Sequence, residues 1–252
     1  MYIEGCEVGF LKEFLYKTLH DNMNTHWWFT SKRAIVLDLI DRYASCQKVP
    51  SFLDVGCGGG LMLESLGRRG HVVGIDTSET AVKLSQGVSG ADVVLGGLPF
   101  DIPASLGKFD VITALDVLEH IEDDRSSIKI LSGLLKEGGV LVLTVPANES
   151  LWSDHDTLHG HRRRYSMGSL KELLAETDLK VEKISYFNSF LLPPIIAARR
   201  LFKGVQGISP PKEPLNFILK KIFSSEKFFL RHIDFPAGVS LLAVCRKTPP
   251  SA

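Results

Sequence analysis

Between residues 51 and 147, short apolar runs alternate with stretches whose apolar positions recur every three or four residues. That alternation is the pattern of βα units, where each buried strand is followed by a helix packed on a parallel sheet. Ser51 to Val55 predicts a first strand, with a helix over Leu61 to Arg69 after it. His71 to Ile75 and Ser78 to Gln86 predict the next strand and helix. Val93 to Leu95 predicts a third strand and Phe109 to Ala114 a fourth. Ile128, Leu131, Leu134 and Leu135 share one helical face within Asp123 to Leu135. Gly138-Gly139 predicts the stop of that helix, and Val140 to Val145 a fifth strand. Met167 to Glu176, N-capped by Ser166, predicts a further helix, Val181 to Tyr186 a sixth strand and Val239 to Cys245 the last.

Two regions stand outside this rhythm. Residues 8 to 45 read as two helices broken near Asp21 to Asn24. Phe187 to Pro236 is a long interruption containing Pro193-Pro194, Pro210-Pro211, Pro214 and two apolar helical patches. The chain carries no internal repeat.

Composition narrows the class of partner. Lys plus Arg and Asp plus Glu both total 29, so no basic footprint for nucleic acid is present, and none is expected as a partner. The 44% hydrophobic and 23% charged shares are those of a globular domain. Cys6, Cys46, Cys57 and Cys245 form no CxxC pair, which speaks against a structural zinc site or a disulfide framework and suits a reducing cytoplasm. The N-terminus lacks a basic, then apolar, leader. No stretch reaches the roughly 18 apolar residues of a membrane span. A cytoplasmic protein, with membrane association through its apolar insertion as an open option, is expected.

The chemistry concentrates after the first strand, in Asp54-Val55-Gly56-Cys57-Gly58-Gly59-Gly60. Glycines just past a strand let the chain turn sharply, so a ligand can approach bare backbone and the next helix N-terminus. The second strand ends in Gly74-Ile75-Asp76, which places an acid where it can accept both hydroxyls of a ribose. The dinucleotide fingerprint G-x-G-x-x-G fails here: counted from Gly56, its last glycine falls on Leu61. Asp54 would also repel a pyrophosphate, whereas it suits a ligand bearing a cationic amino group. A nicotinamide oxidoreductase is therefore the weaker reading.

The segment Asp54 to Gly60 resembles the first motif of class I S-adenosylmethionine (SAM) dependent methyltransferases, acid-x-G-x-G-x-G. Val73 to Asp76, Phe109 to His120 and Leu135 to Leu141 resemble the second-, fourth- and fifth-strand motifs of that family, in order and spacing, so the likeness covers Ser51 to Ala147. The resemblance implies an α/β Rossmann-like three-layer sandwich with a mostly parallel seven-stranded sheet whose last strand is antiparallel. One methyltransferase domain over 1–252 follows: an N-terminal helical cap over 1–48, a SAM-binding core over 51–186, an apolar helical insertion over 187–236 and a last strand over 237–247. It further implies SAM as methyl donor, with Gly56, Cys57, Gly58 and Gly60 along its methionine and ribose and Asp54 near its amino group. Asp76 would take the ribose hydroxyls, Thr77 and Leu98 would flank the adenine, and Leu115 and Asp116 the methionine end. The chain departs from many relatives in having Gly96-Gly97 where an acid precedes Leu98-Pro99, which leaves the adenine contact less defined.

On the acceptor side, Ser153 to Tyr165 resembles a histidine- and arginine-rich stretch of a bacterial subgroup. His155 and His120 are the candidate bases for an oxygen nucleophile, and His159, His161, Arg163, Tyr165 and Trp28 the candidate acceptor contacts. Arg33 is the candidate partner of the SAM carboxylate. The same run reads equally as a solvated basic loop, and His26 to Arg33 equally as a packing helix. Some quinone-pathway O-methyltransferases hold a divalent metal with a run like Asp116, Glu119 and His120, but no metal is expected here. The expected reaction is O-methylation of a small or lipid-linked acceptor. N-methylation and a catalytically silent SAM- or partner-binding relative remain the alternatives. The insertion, whose apolar faces sit beside lysines and arginines, reads as lid, peripheral membrane contact through 187–230, or core.

Overall fold

The structure is a computed structural model that describes residues 17–18, 20–44, 49–88, 90–201 and 209–249. Its elements run α1 (Trp27–Tyr43), β1 (Ser51–Val55), α2 (Leu61–Gly67), β2 (His71–Asp76), α3 (Glu79–Ser85), β3 (Ala91–Leu95) and β4 (Phe109–Leu115). They continue α4 (Asp124–Leu134), β5 (Leu135–Pro146), α5 (Asp154–His159), α6 (Met167–Ala175), β6 (Leu179–Phe187), α7 (Leu192–Leu201), α8 (Leu215–Leu230) and β7 (Ser240–Lys247). The seven strands lie in the order β3-β2-β1-β4-β5-β7-β6. β1 to β5 pair in parallel, and β7 slots antiparallel between β5 and β6. This is the mostly parallel sheet with an antiparallel last strand that the motifs imply.

Strand alternation divides the core into two layers. Leu53 and Val55 of β1 pack with Ile128 and Leu131 of α4 and with Leu170, Leu173 and Leu174 of α6. Phe52, between them in sequence, packs on the other face with Ile35, Val36, Leu39 and Ile40 of α1, Leu63 and Leu66 of α2 and Phe223 of α8. Each such fully buried side chain contributes about 1.5–3 kcal/mol of hydrophobic stabilisation. The N-terminal helix and the insertion thus form part of one layer: Trp27 N–H donates to Asn216 Oδ1 at 3.0 Å, and the Ser224 hydroxyl donates to Ser31 Oγ at 2.9 Å.

Local sequence fixes the helix starts. Asp123 accepts from Ser126 N–H at 2.9 Å, and Ser166, the expected N-cap, accepts from Ser169 N–H at 3.0 Å. Three expectations are corrected. Gly138-Gly139 does not stop α4, which ends at Leu134; the glycines lie inside β5. Phe109 pairs with Leu135 and Val111 already with Val140, so residues 136–139 bulge out. Gly139 sits so close to the strand that a Cβ there would lie 2.8 Å from the Lys136 carbonyl and 3.1 Å from that of Asp110. The third strand begins at Ala91 rather than Val93. The segment after β5, expected as a loop, contains the short helix α5, whose Ser153 N–H donates to Asp156 at 2.8 Å. The expected break near Asp21 to Asn24 falls at the turn of residues 23–25, while residues 1–16, with most of the first expected helix, and Cys6 and Cys46 lie outside the described residues. Among the described residues no helix is long and apolar enough to cross a membrane.

Candidate active site

Parallel pairing brings the carboxyl ends of β1, β2 and β4 together where the strand order reverses, the usual place for a ligand crevice in such sheets. Asp54, buried at 3% exposure near the end of β1, accepts a 2.6 Å hydrogen bond from the Thr113 hydroxyl of β4. Burial, reinforced by the nearby Asp76 charge against the Thr113 bond and the Lys32 charge, pushes the Asp54 carboxyl up to about 7. At the tip of β2, the Asp76 carboxylate accepts the Gly58 N–H and the Ser78 N–H, both at 2.9 Å. Gly58 has a φ of +53° and open space where a Cβ would stand. Gly56, at φ +69°, is pressed from behind, since a Cβ there would meet Val117 Cγ2 at 2.6 Å. Bare backbone, an open approach and two flanking acids therefore coincide. Above the loop, His20 Nδ1 donates to the Gly59 carbonyl at 3.2 Å.

Of the remaining expected donor-side residues, Thr77 is exposed just past β2 and Leu98 is half-buried against the core edge. Cys57 packs inward, its Sγ 4.0 Å from Ser85 Oγ, and burial pushes its thiol far above the usual range, so it is a packing residue rather than a nucleophile. Leu115 half-buries against the other layer. Asp116, at φ 57°, holds its turn through two contacts: Lys32 Nζ at 2.6 Å and the Thr144 hydroxyl at 2.7 Å. Burial works against its ionisation, but Lys32, Thr144 and His161 outweigh it and hold the carboxyl below the ordinary range.

Lys32, and not Arg33, thus reaches the crevice. Arg33 turns away to Asn24 Oδ1 at 3.4 Å, in a cleft of about 440 Å3 with Leu37, Glu64, Ser65, Arg68 and Arg69. Trp28 stands beside Lys32, whose ammonium is 6.0 Å from the ring, and packs on Phe223 and Phe187.

The histidines do gather. His161 Nδ1 donates to Asp156 Oδ1 at 2.8 Å, and its ring meets His120 edge-on at 4.7 Å. Asp156 is fully buried and is also gripped by Arg164 through Nε and Nη2, each at 2.9 Å. Despite its burial, these partners hold Asp156 ionised far below the usual carboxylate range. The His155 and His159 rings lie tilted with centroids 4.2 Å apart, and both are pushed down to about 4, chiefly by burial, then by the His159 charge on His155 and by the His161 and His120 charges on His159. Below them Glu119 is fully buried, with neither carboxyl oxygen hydrogen-bonded. Burial, then the Asp116 charge, raises Glu119 well above its ordinary value. Donor atoms of Glu119, His120 and His161 lie within 4.8 Å of one another, close enough to share a cation.

Two expected acceptor residues stand apart from this group. Tyr165 is core, with its hydroxyl donating to Asp124 at 2.8 Å. Arg163 is tied to Asp124 at 2.9 Å and to the Glu122 carbonyl at 2.8 Å. The residues that sequence reasoning missed are Lys32, Thr113, Asp156 and Arg164.

A doubly wound sheet with a glycine turn between two strand-tip acids defines a nucleoside-binding Rossmann-like class. The comparisons narrow that class. A family described as a methyltransferase domain matches residues 13–184. The ubiquinone biosynthesis O-methyltransferase of Chromobacterium violaceum is 40% identical over 115 residues, covering 41% of this chain and 47% of the relative. That of Hahella chejuensis is 32% identical over 154 residues, covering 55% of this chain and 61% of the relative. The chain thus matches only about half the length of these relatives. The plantazolicin methyltransferase BpumL in complex with S-adenosylhomocysteine (SAH) has a similar fold, with a TM-score of 0.60 at 16% identity, over 93% of this chain and 89% of that one. The putative methyltransferase solved with the Haloferax volcanii Trm112 activator also scores 0.60, at 17% identity, over 96% and 98%. The chain belongs to the methyltransferase-domain family, as the glycine motif implied, and resembles its quinone-pathway members.

Proposed function

We propose that this chain transfers the methyl group of SAM to an oxygen of a small or lipid-linked acceptor. The observation that carries the reading is the open Gly58 backbone held against Asp76 and flanked by Asp54. The chemistry of that set fits the donor. Asp76 has free lone pairs for two ribose hydroxyls, and an ionised Asp54 would pair with an amino group. Thr77 and Leu98 would bracket the adenine, and Leu115 with Asp116 the methionine end.

SAM supplies an already activated methyl group, so the protein's work is to align the nucleophile behind it. Such positioning lowers barriers by up to ~7–11 kcal/mol in favourable cases. The Lys32–Asp116 pair fixes the β4 tip for this, and Trp28 walls the acceptor side. An oxygen nucleophile also profits from a base, for which an imidazole oriented by a buried carboxylate is suited. We assign that role to His161, oriented by Asp156, rather than to His155, which burial leaves a weak base, or to the exposed His120. His159 and His155 then shape the acceptor pocket.

The test is an incubation of purified protein with methyl-labelled SAM and lipid and polar extracts of the source cells. Label appearing in one organic-phase compound as an ether, and lost with Asp54→Ala and Asp76→Ala, supports the reading. Label on nitrogen, or SAH binding without any labelled product, contradicts it.

A further inference from the structure

Helix α8 has an outward face that the methyl-transfer reading leaves unused. Its inward positions, Asn216, Phe223, Glu226 and Leu230, are buried against α1 and the segment after β6. Opposite them, Phe217 and Phe228 are each 55% exposed, and Ile218, Ile222 and Phe229 stand open beside them. Phe190 joins the same surface through its ring contact with Phe229, centroids 5.3 Å apart. Scattered exposed apolar residues are ordinary, but among the described residues most of the exposed large ones fall between residues 190 and 233.

The charged side chains that α8 itself exposes have one sign, while Glu213, just ahead of the helix, accepts the Phe217 N–H at 3.1 Å. Lys220, Lys221 and Lys227 interleave with the aromatics, Lys221 lying 5.2 Å from the Phe217 ring and Lys227 5.0 Å from that of Phe228. The helix contains a single acid, Glu226, and it is buried, accepting the Ser189 and Phe190 N–H groups at 2.7 and 2.8 Å. A second copy seated on this face would press lysine against lysine across an apolar interface, which is unfavourable. An anionic surface that is also apolar beneath meets both demands: its phosphates pair with the ammonium groups while the aromatic rings enter the boundary below.

We propose that the outward face of α8 docks peripherally on an anionic lipid bilayer, Phe217, Ile218, Phe228 and Phe229 entering the headgroup–acyl boundary and Lys220, Lys221 and Lys227 meeting lipid phosphates. The helix is amphipathic and lies along the surface of the fold, so it rests on the bilayer rather than crossing it. This inference does not depend on methyl transfer, and vesicle binding is read without donor or acceptor.

The experiment is co-sedimentation of the full chain with vesicles of equimolar phosphatidylcholine and phosphatidylglycerol, against vesicles of phosphatidylcholine alone. Binding to the mixed vesicles that weakens as salt rises, with little binding to the neutral ones, is expected. Reversing Lys220, Lys221 and Lys227 to Glu should weaken partitioning by about a hundredfold. Phe217→Ser with Phe228→Ser should weaken it at every salt concentration, with melting curves confirming that the fold is intact. If the charge-reversed protein unfolds, the salt dependence of the unaltered chain reads the same contribution. No binding to the mixed vesicles, or equal binding to both kinds, overturns the proposal. So does a concentration-dependent dimer that the two Phe→Ser changes dissociate, which would assign the face to a second copy.

Discussion

Lys32 places its ammonium 2.6 Å from the Asp116 carboxylate, linking helix α1 to the tip of β4 across 84 residues of sequence. The pair is largely buried, so it closes the crevice with a fixed charge arrangement rather than a mobile surface contact. Lys32→Met removes the cation and leaves Asp116 buried with only Thr144 as a side-chain donor. Turnover should fall by about tenfold or more through misplacement of the β4 tip. Arg33→Met, on the adjoining residue, should leave turnover within about twofold, because its guanidinium faces the α1–α2 cleft. Steady-state kinetics on the two variants decide between them. Equal losses would contradict the assignment of the crevice cation.

Asp54 gives the proposed donor site a pH signature. Its folded value of about 7 lies above the ordinary unfolded carboxyl value of about 3.9. Between those values the folded state binds more protons than the unfolded one. The Asp54 contribution to stability therefore falls as pH rises from about 4 to 7 and levels off above that. A bound amino cation favours the carboxylate, so SAH binding at pH 7 should release on the order of half a proton. Calorimetry in two buffers of different ionisation enthalpy measures that release. Asp54→Asn should abolish it.

The Asp156 cluster is a structural keystone as well as an orienting group for His161. Asp156→Asn leaves Arg164 buried without its counter-charge and should cost about 3–5 kcal/mol, read by chemical denaturation. Glu119→Gln is the matched control. Burial raises the Glu119 carboxyl well above its ordinary value, so its neutral isostere should change stability by less than about 1 kcal/mol. A large loss there would mean that the Glu119 carboxylate is ionised by a partner.

Much of this was legible in the sequence, for identifiable reasons. The alternation of Phe52 and Leu53 between two core layers, and the glycines after Val55, are local signals that tertiary packing reinforces. Gly138-Gly139 misled because a glycine pair marks a β-bulge as readily as a helix end, and only strand pairing distinguishes them. Lys32 was hidden behind Arg33: one residue is a 100° turn of a helix, and no motif fixed the rotation of α1. Tyr165 reads as part of a polar loop, yet its backbone bridges to Ala147 and draws the ring into the core. The Asp156–His161 link spans the end of α5, a geometry without a periodic signature. The insertion could be separated into a buried and an exposed face only after α8 had a packing partner in α1.

The proposed methyl transfer requires the β1 and β2 tips to grip a nucleoside thioether, and a calorimetric titration with SAH measures that grip. The unaltered chain should bind one equivalent, and Asp76→Ala should bind roughly ten- to a hundredfold more weakly through loss of the ribose hydrogen bonds, with a cooperative melting curve showing that the variant, though destabilised by loss of the Gly58 and Ser78 bonds, is still folded. A chain that gives no heat and no thermal shift with millimolar SAH, or an Asp76→Ala variant that binds as tightly, would contradict it.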